Sequence, residues 1–144
     1  MAKGAIFDND LLQLIFNGTS IANLADNAAT SPLTSLYVSL HTADPTATGE
    51  QTSSEIGYAG YGRVALARSP TAPAWTVTGN SVSPVGNISF VAGTGGGGVA
   101  TNFAVGTALS GTGKILYTGS ITPPITCGLG ITPILTTSSI ISES

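Results

Sequence analysis

The sequence predicts an all-β protein, an antiparallel β-sandwich of jelly-roll-like type with one short N-terminal helix. The 144 residues include 20 Thr, 16 Ser and 19 Gly, and hydrophobic residues make up 42%; this composition is typical of strands joined by turns. Short stretches alternate between apolar and polar residues, as half-buried strands do. Turn-forming residues separate these stretches about every 8 to 15 residues, which leaves no room for helices between parallel strands.

The N-terminal helix is predicted over residues 8–18. Asp8 is a residue type that caps helix N-termini, and Gly18 is a type that follows helix C-termini. The apolar residues that fall on one face of this helix are Leu11, Leu12, Ile15 and Phe16. Residues 21–29 add either a helical turn or a loop, which Pro32 ends.

Strands are predicted after this proline. In the first strand Leu36, Val38 and Leu40 alternate with polar or amphipathic residues, which places these three side chains on one face. The further strand candidates are 61–68, 74–78, 82–91, 99–107, 114–121 and 125–137. Pro123-Pro124 is expected to separate the last two strands. The tail 138–144 either pairs with a sheet edge or stays mobile.

The chain length fits a single domain overall. Within it we assign residues 1–33 to an N-terminal arm with the short helix and residues 34–144 to the β-sandwich. The large aromatic side chains of Trp75, Phe90 and Phe103 are interpreted as anchors of the core between two sheets.

Charge is scarce in this chain. Charged residues make up 8% of it, against about 25% in average soluble domains. The basic residues are Lys3, Arg63, Arg68 and Lys114. Because they are scattered and the net charge is -3, we expect no nucleic-acid partner. The apolar runs are shorter than the roughly 18 to 20 residues of a membrane span, and the N-terminus does not read as a signal peptide, so we expect no membrane partner.

The acidic residues are distributed unevenly. No Asp or Glu lies between Glu55 and Glu143. A surface so poor in charge and rich in Thr, Ser and Gly is weakly protected against association by charge repulsion. We therefore expect part of this surface to be covered in an assembly.

Catalytic residues are not apparent. His41 is the chain's one histidine and its candidate general base, but no Gly-x-Ser-x-Gly motif surrounds any serine. We interpret His41 as a structural residue whose ring hydrogen-bonds the turn at 42–45. Cys127 lies in an apolar stretch and is interpreted as a small buried hydrophobe. The chain is therefore predicted not to be an enzyme.

Two further patterns resemble ligand sites. Residues 93–98 match the Gly-x-Gly-x-x-Gly fingerprint of dinucleotide sites, but a strand rather than a helix is predicted to follow, so we expect a flexible surface loop. Asp44, Glu50 and Glu55 share one loop, but their spacing matches no calcium loop. We expect no cofactor and no metal.

Several motifs carry a resemblance to a known family. They are LYVSLHTADP at 36–45, GEQTSSEI at 49–56, YAGYGRVA at 58–65, VGNISF at 85–90 and GTGKILY at 111–117, together with Trp75 and Thr132-Pro133. With these motifs, which span about residues 6–137, the chain resembles a family of small virion structural proteins of tailed bacteriophages. It is most similar to capsid cement (decoration) proteins, and relatives are often labelled tail fibre.

The resemblance implies a cement protein that is made in the host cytoplasm and binds the outer surface of the phage head. Its partner there is the major capsid protein, whose subunit contacts it stabilises, and it is expected to be a homo-oligomer, either a dimer or a trimer. The alternative is a tail fibre or baseplate structural protein involved in host attachment. A small enzyme or a carbohydrate-binding module is a third class, which the missing reactive residues disfavour.

Contacts with such partners are expected at the N-terminal segment 1–16, at the loop 42–57 with its acidic residues (the acidic loop), and at the tail 138–144. The residues predicted at this interface are Ile6, Phe7, Leu11, Asp44, Glu50 and Glu55. Protein interfaces of standard size bury about 1,200 to 2,000 Å², and repetition on a virion multiplies modest contacts into avidity.

Overall fold

The computed structural model of the chain describes residues 5–21 and 32–143. The helix in this part of the chain is α1 (Ala5–Asn17). The strands are β1 (Ser35–His41), β2 (Val64–Ala67), β3 (Trp75–Thr78), β4 (Ser81–Pro84), β5 (Ile88–Ser89), β6 (Gly97–Gly106), β7 (Ile115–Gly128), β8 (Ile134–Leu135) and β9 (Ile141–Ser142). The ladders β1–β6, β3–β4, β4–β9, β5–β8 and β6–β7 are antiparallel. The predicted all-β class with an N-terminal helix is confirmed, while the jelly-roll connectivity stays a prediction.

The described residues form two compact units. The first draws on Met1–Leu36, Leu66–Asn87 and Thr136–Ser144, and the second on Tyr37–Ala65 and Ile88–Leu135. Each unit is therefore assembled from separated pieces of the chain. The assignment of an arm at 1–33 and a sandwich at 34–144 stays a prediction. Part of that arm lies outside the described residues, as does most of the predicted turn or loop at 21–29.

In the first unit, α1 packs on the three-stranded sheet with the order β3-β4-β9. Leu12 and Phe16 are fully buried, because residues four apart lie on the same helix face. The ring of Phe16 meets the ring of Trp75 edge to face, with 4.8 Å between the centroids, a preferred geometry for aromatic pairs. Trp75 is 3% exposed, so its predicted burial is confirmed, although the ring packs on α1 and was predicted to lie between two sheets.

The ends of α1 differ in part from the prediction. The helix begins at Ala5, so Asp8 lies inside its first turn and the prediction that Asp8 caps the helix was wrong. A carboxylate in the first turn is nevertheless favoured by the positive end of the helix dipole. At the other end, the guanidinium group of Arg68 donates hydrogen bonds to the carbonyl oxygens of Ile15 (2.7 Å) and Leu14 (2.6 Å). These carbonyls have no partner within a helix that ends at Asn17, so Arg68 caps the helix and places a positive charge at its negative end.

The C-terminal tail of the chain pairs with a sheet, which is one of the two alternatives expected for it. Ile141 in β9 is opposite Val82 in β4. Beyond this pair, the amide of Glu143 donates to the carbonyl oxygen of Asn80 (2.8 Å).

The second unit is built on a sheet with the order β2-β1-β6-β7, in which β1 and β2 also have residues in the first unit. Leu40 of β1 is opposite Phe103 of β6, and Val38 is opposite Val105. All four side chains are buried. The burial predicted for Val38, Leu40 and Phe103 is confirmed, and Phe90 is also buried.

One long strand replaces two predicted ones. We expected Pro123-Pro124 to separate strands, but β7 continues through both prolines, so this prediction was wrong. Because β7 is the edge strand of its sheet, a proline that lacks an N–H group is tolerated there. The register also shifts between Ala100 and Asn102 of β6, opposite the prolines, which marks a β-bulge.

The glycine-rich tract 93–98 is part of the ordered backbone rather than the expected surface loop. Gly97 and Gly98 begin β6. Gly93 is buried, and its amide donates to the carbonyl oxygen of Ile131 (3.0 Å). A Cβ atom on Gly93 would overlap the carbonyl oxygen of Gly128. Two backbone segments therefore approach each other here as only glycine permits.

Candidate functional site

The best-defined site in the second unit is the loop that joins β6 to β7, residues 107–114, here called the tip loop. Its residues 109–112 are all exposed. Leu109 is 58% exposed, and Lys114, at the end of the loop, is its charged residue. Loops of this kind carry binding functions when a stable scaffold positions them.

Gln51 holds the tip loop from inside the protein. Its side chain is fully buried; the Oε1 atom accepts a hydrogen bond from the amide of Ala108 (3.0 Å), and the Nε2 atom donates to the carbonyl oxygen of Tyr37 (3.3 Å). The backbone amide of Gln51 donates to the carbonyl oxygen of Thr112 (2.7 Å). Both ends of the loop are thus hydrogen-bonded to one buried residue.

Two glycines make room for that glutamine. A Cβ atom on Gly106 or on Gly113 would overlap the side-chain amide of Gln51. Gly113 also has a positive φ of 51°, which other residues rarely adopt. The glycines that border the tip loop are therefore required by packing and, at Gly113, by backbone conformation as well.

Arg63 is the second support of the tip loop. Its guanidinium group donates to both carboxylate oxygens of Glu55, at 2.7 Å each. It also donates to the carbonyl oxygens of Ala108 (3.0 Å) and Gly111 (2.8 Å). The hydrogen bonds with Glu55 are the main cause that raises the pKa of Arg63. A bidentate pair of this kind has a fixed geometry, so it fixes the position of the carbonyls that it contacts.

Tyr61 completes the environment of Glu55. Its hydroxyl group donates to the Oε1 atom of Glu55 (2.9 Å) and accepts a hydrogen bond from the amide of Leu40 (3.1 Å). The ring stacks on Phe90, with 6.3 Å between the centroids. Burial raises the pKa of Tyr61, so the hydroxyl group keeps its proton and acts as a donor.

His41 lies fully buried beside this cluster. Its Nδ1 atom is 2.8 Å from the carbonyl oxygen of Ser53, and its Nε2 atom is 2.8 Å from the Oγ atom of Ser39. A carbonyl oxygen only accepts, so Nδ1 carries the proton and Nε2 accepts from the Ser39 hydroxyl group. The prediction that this ring hydrogen-bonds the turn at 42–45 was wrong, because the ring reaches Ser53 further along the same loop.

The contact between Ser39 and His41 has the distance of a nucleophile–base pair. Both residues, however, have no exposed surface, so a substrate does not reach the hydroxyl group in the folded chain. Burial also lowers the pKa of His41. We interpret the pair as a satisfied buried polar contact that stabilises β1. Cys127 is likewise buried, as expected.

The six residues predicted at an interface divide between the two units. In the first unit, Ile6 is 81% exposed, Phe7 is exposed and Leu11 is half-buried. In the second unit, Asp44 and Glu50 are exposed, whereas Glu55 is half-buried and bound to Arg63. The interface role of all six stays a prediction. The residues that sequence reasoning missed as supports of the tip loop are Gln51, Tyr61, Arg63, Gly106 and Gly113.

No group of three or more His, Cys, Asp or Glu side chains in residues 5–21 and 32–143 is placed to hold a metal ion. Asp44 and Glu55, which share one loop in the sequence, have different surroundings, since Asp44 is exposed and Glu55 pairs with Arg63. In the same described ranges, no helix has the length and apolar character needed to cross a bilayer.

The fold defines the class of protein: it is an all-β protein with one N-terminal helix, in which buried polar side chains hold the tip loop. The family model described as "Podophage GP4 fiber I protein gp80" matches residues 5–141. The chain therefore belongs to this family of phage virion structural proteins, and its location is the virion. Comparison with curated proteins gives no match.

The first prediction concerns the ion pair. We expect Arg63→Ala to lower the free energy of unfolding by about 1 to 3 kcal/mol, because the half-buried carboxylate of Glu55 loses its ion-pair partner and keeps only the hydrogen bond from Tyr61. The matched control is Lys114→Ala at an exposed position, with an expected change within about 0.5 kcal/mol. Urea denaturation followed by far-UV circular dichroism, which reports on the strands of both units, measures both. Equal effects of the two substitutions would contradict this role of Arg63.

The second prediction concerns pH. Because the pKa of His41 in the folded chain lies below the ordinary value of 6.5, the unfolded chain binds the proton more readily. The stabilisation that a neutral His41 contributes is therefore complete above pH 6.5 and is lost as the pH falls through and below this value. Glu55 and Asp44 oppose this shift and Arg63 adds to it, but burial is the largest cause.

The measurement is the free energy of unfolding between about pH 7 and about pH 5. It should fall over this range in the wild-type chain and stay nearly level in His41→Asn. A wild-type chain that is equally stable at both ends of the range would show that His41 is not held neutral by burial.

Proposed function

We propose that the chain is a structural subunit of a virion fibre, which acts by binding neighbouring proteins and catalyses no reaction. The observation that carries this proposal is the match of nearly the whole chain, residues 5–141, to a family described as a fibre protein. The host-attachment apparatus is the part of the virion to which a fibre belongs. This is the alternative that the sequence raised beside the cement role, and the family description favours it.

The tip loop supports a role in protein contact. Leu109 projects an aliphatic side chain from a loop whose neighbouring backbone atoms are bound to Gln51 and Arg63. Burial of one leucine side chain is worth about 1.5 to 3 kcal/mol, and little of this is lost to ordering a loop that is already fixed. An aliphatic anchor fits an apolar pocket on a protein better than a polysaccharide.

A cement protein on the outer surface of the phage head is the second proposal. The resemblance of motifs such as 36–45 and 58–65 to small virion proteins favours it. Its partner is the major capsid protein, and the exposed Ile6 and Phe7 of α1 offer apolar anchors for such a contact. Both proposals share a virion location and a homo-oligomeric state, either dimer or trimer.

The third prediction separates the two roles. Gold-labelled antibodies raised against the purified chain are applied to intact particles of the podophage that carries it, and electron microscopy locates the label. We expect label on the fibres, with an unlabelled head surface. Pre-immune serum on the same particles is the control.

Label spread over the head shell would overturn the fibre role in favour of the cement role. Particles without label, although the antibody recognises the chain in dissolved virions, would place the epitopes inside an assembly. Absence of the chain from dissolved virions would contradict both proposals.

A further inference from the structure

A second exposed surface lies in the second unit, away from the tip loop in the sequence. Residues 88–93 run alongside residues 129–135: Ile88 is opposite Leu135 and Ser89 is opposite Ile134. Beyond β5 and β8 the pairing continues, because the amide of Phe90 donates to the carbonyl oxygen of Pro133 (2.9 Å). We call these two segments the ribbon.

The pairing also extends to the glycine end of the ribbon. The amide of Gly93 donates to the carbonyl oxygen of Ile131 (3.0 Å), and the amide of Gly130 donates to the carbonyl oxygen of Gly93 (2.8 Å). Gly130 has a positive φ of 73°, which turns the chain between Leu129 and Ile131. The two segments are thus connected along their whole length.

The ribbon has a buried face and an exposed face. Side chains alternate between the two faces of a β-ribbon, and the buried ones are Ile88, Phe90, Pro133 and Leu135. The exposed side chains include Val91 and Ile134, to which the turn adds Leu129 and Ile131. We call the set of Val91, Leu129, Ile131 and Ile134 the ribbon patch. Leu129, at 75% exposed, projects furthest.

The distribution of charged residues indicates what kind of partner would bind the ribbon patch. Residues 88–135 contain Lys114 as their charged residue and no acidic residue. A partner that brings charged side chains to this patch would lose their hydration without gaining an ion pair. The partner surface must therefore be neutral and aliphatic, and a second copy of this chain presents such a surface by construction.

The strand arrangement also favours association of a partner with the ribbon patch. β5 and β8 form a sheet of only two strands, and two-stranded ribbons gain their stability from cover on their faces. The side chains of the inner face are buried, whereas the outer face exposes Val91 and Ile134 together with the hydroxyl residues Ser89 and Thr132. Exposed apolar side chains grouped in this way mark protein interfaces.

We propose that the ribbon patch is the surface through which two copies of this chain associate. The inference deepens the proposed function, since a fibre or a cement layer is built from repeated subunits, and it rests on that function only for its biological purpose. The self-association itself is a property of the purified chain and is tested without the virion.

The fourth prediction tests the ribbon patch. Sedimentation velocity of the purified full chain, over a wide range of concentrations, gives the oligomeric state and the dissociation constant. We expect the wild-type chain to be an oligomer, and Leu129→Asp to raise the dissociation constant by about 30-fold or more, as loss of an interface hot spot does. Val91→Asp, on the other segment of the ribbon, should have the same effect.

The controls are Val85→Asp and Ile140→Asp in the first unit, which add the same charge at other exposed aliphatic residues. Both should leave the dissociation constant unchanged. Circular dichroism melting curves verify that every variant is folded, which the exposure of the substituted side chains favours.

A wild-type chain that is monomeric at all concentrations would overturn the proposal. The partner at the ribbon patch would then be a different virion protein. An oligomer that Leu129→Asp and Val91→Asp leave intact would also overturn the proposal, as would one that the control substitutions dissociate equally. These results are independent of the antibody experiment. Sedimentation measures whether the purified chain self-associates, whereas the antibody shows where the chain lies on the virion, so either experiment can fail without the other.

Discussion

The ion pair of buried Arg63 and half-buried Glu55 connects the tip loop to the rest of the second unit. Taking two charges out of water costs several kcal/mol for each ion, and that cost is offset only if the charged atoms find partners. Here Arg63 donates to both oxygens of Glu55 and to two backbone carbonyls of the tip loop, while Tyr61 donates to Glu55 as well. Charged residues make up only 8% of the chain. Because two of them are used here, we infer that the role of this ion pair is to position the tip loop.

The scarcity of charged residues also determines how polar groups are paired in the interior and which side chains are exposed. In the second unit, the buried side chains of Gln51 and His41 are satisfied by neutral partners: Gln51 binds the tip loop, and His41 lies between Ser39 and Ser53. The exposed residues include many that carry hydroxyl groups, many glycines and several aliphatic side chains such as Leu129 and Val85. A surface with so little charge is weakly protected against association by charge repulsion, which suits a structural protein of the virion.

The sequence was a good guide where local pattern determines the structure. The alternation around Val38 predicted β1, and the size of Trp75 and Phe90 predicted their burial. It was a poor guide where residues distant in the sequence determine the structure. Pro123-Pro124 is tolerated within a strand because β7 lies at the edge of its sheet. Gly93 is buried because the backbone of Gly128 approaches it. Neither neighbour is visible in the local sequence.

The candidate site was harder to predict for the same reason. Gln51 lies in a polar stretch that is typical of an exposed loop, and its contact with Ala108 joins residues 57 positions apart. The glycines at 106 and 113 were the available signal, because glycine on both sides of a turn suggests a neighbour that needs space. The loop that holds Asp44, Glu50 and Glu55 was predicted to lie at an interface, which stays a prediction, and the pairing of Glu55 with Arg63 was not predicted.

Amide hydrogen exchange of the folded wild-type chain tests most directly whether the tip loop is held in one conformation. The informative groups are the amides of Ala108 and Lys114, which donate to the Oε1 atom of Gln51 and the Oγ1 atom of Thr107. If buried polar groups fix the loop, both amides exchange as slowly as those in the centre of β6. Exchange at the rate of an unstructured peptide would show that the loop is free and would contradict this account.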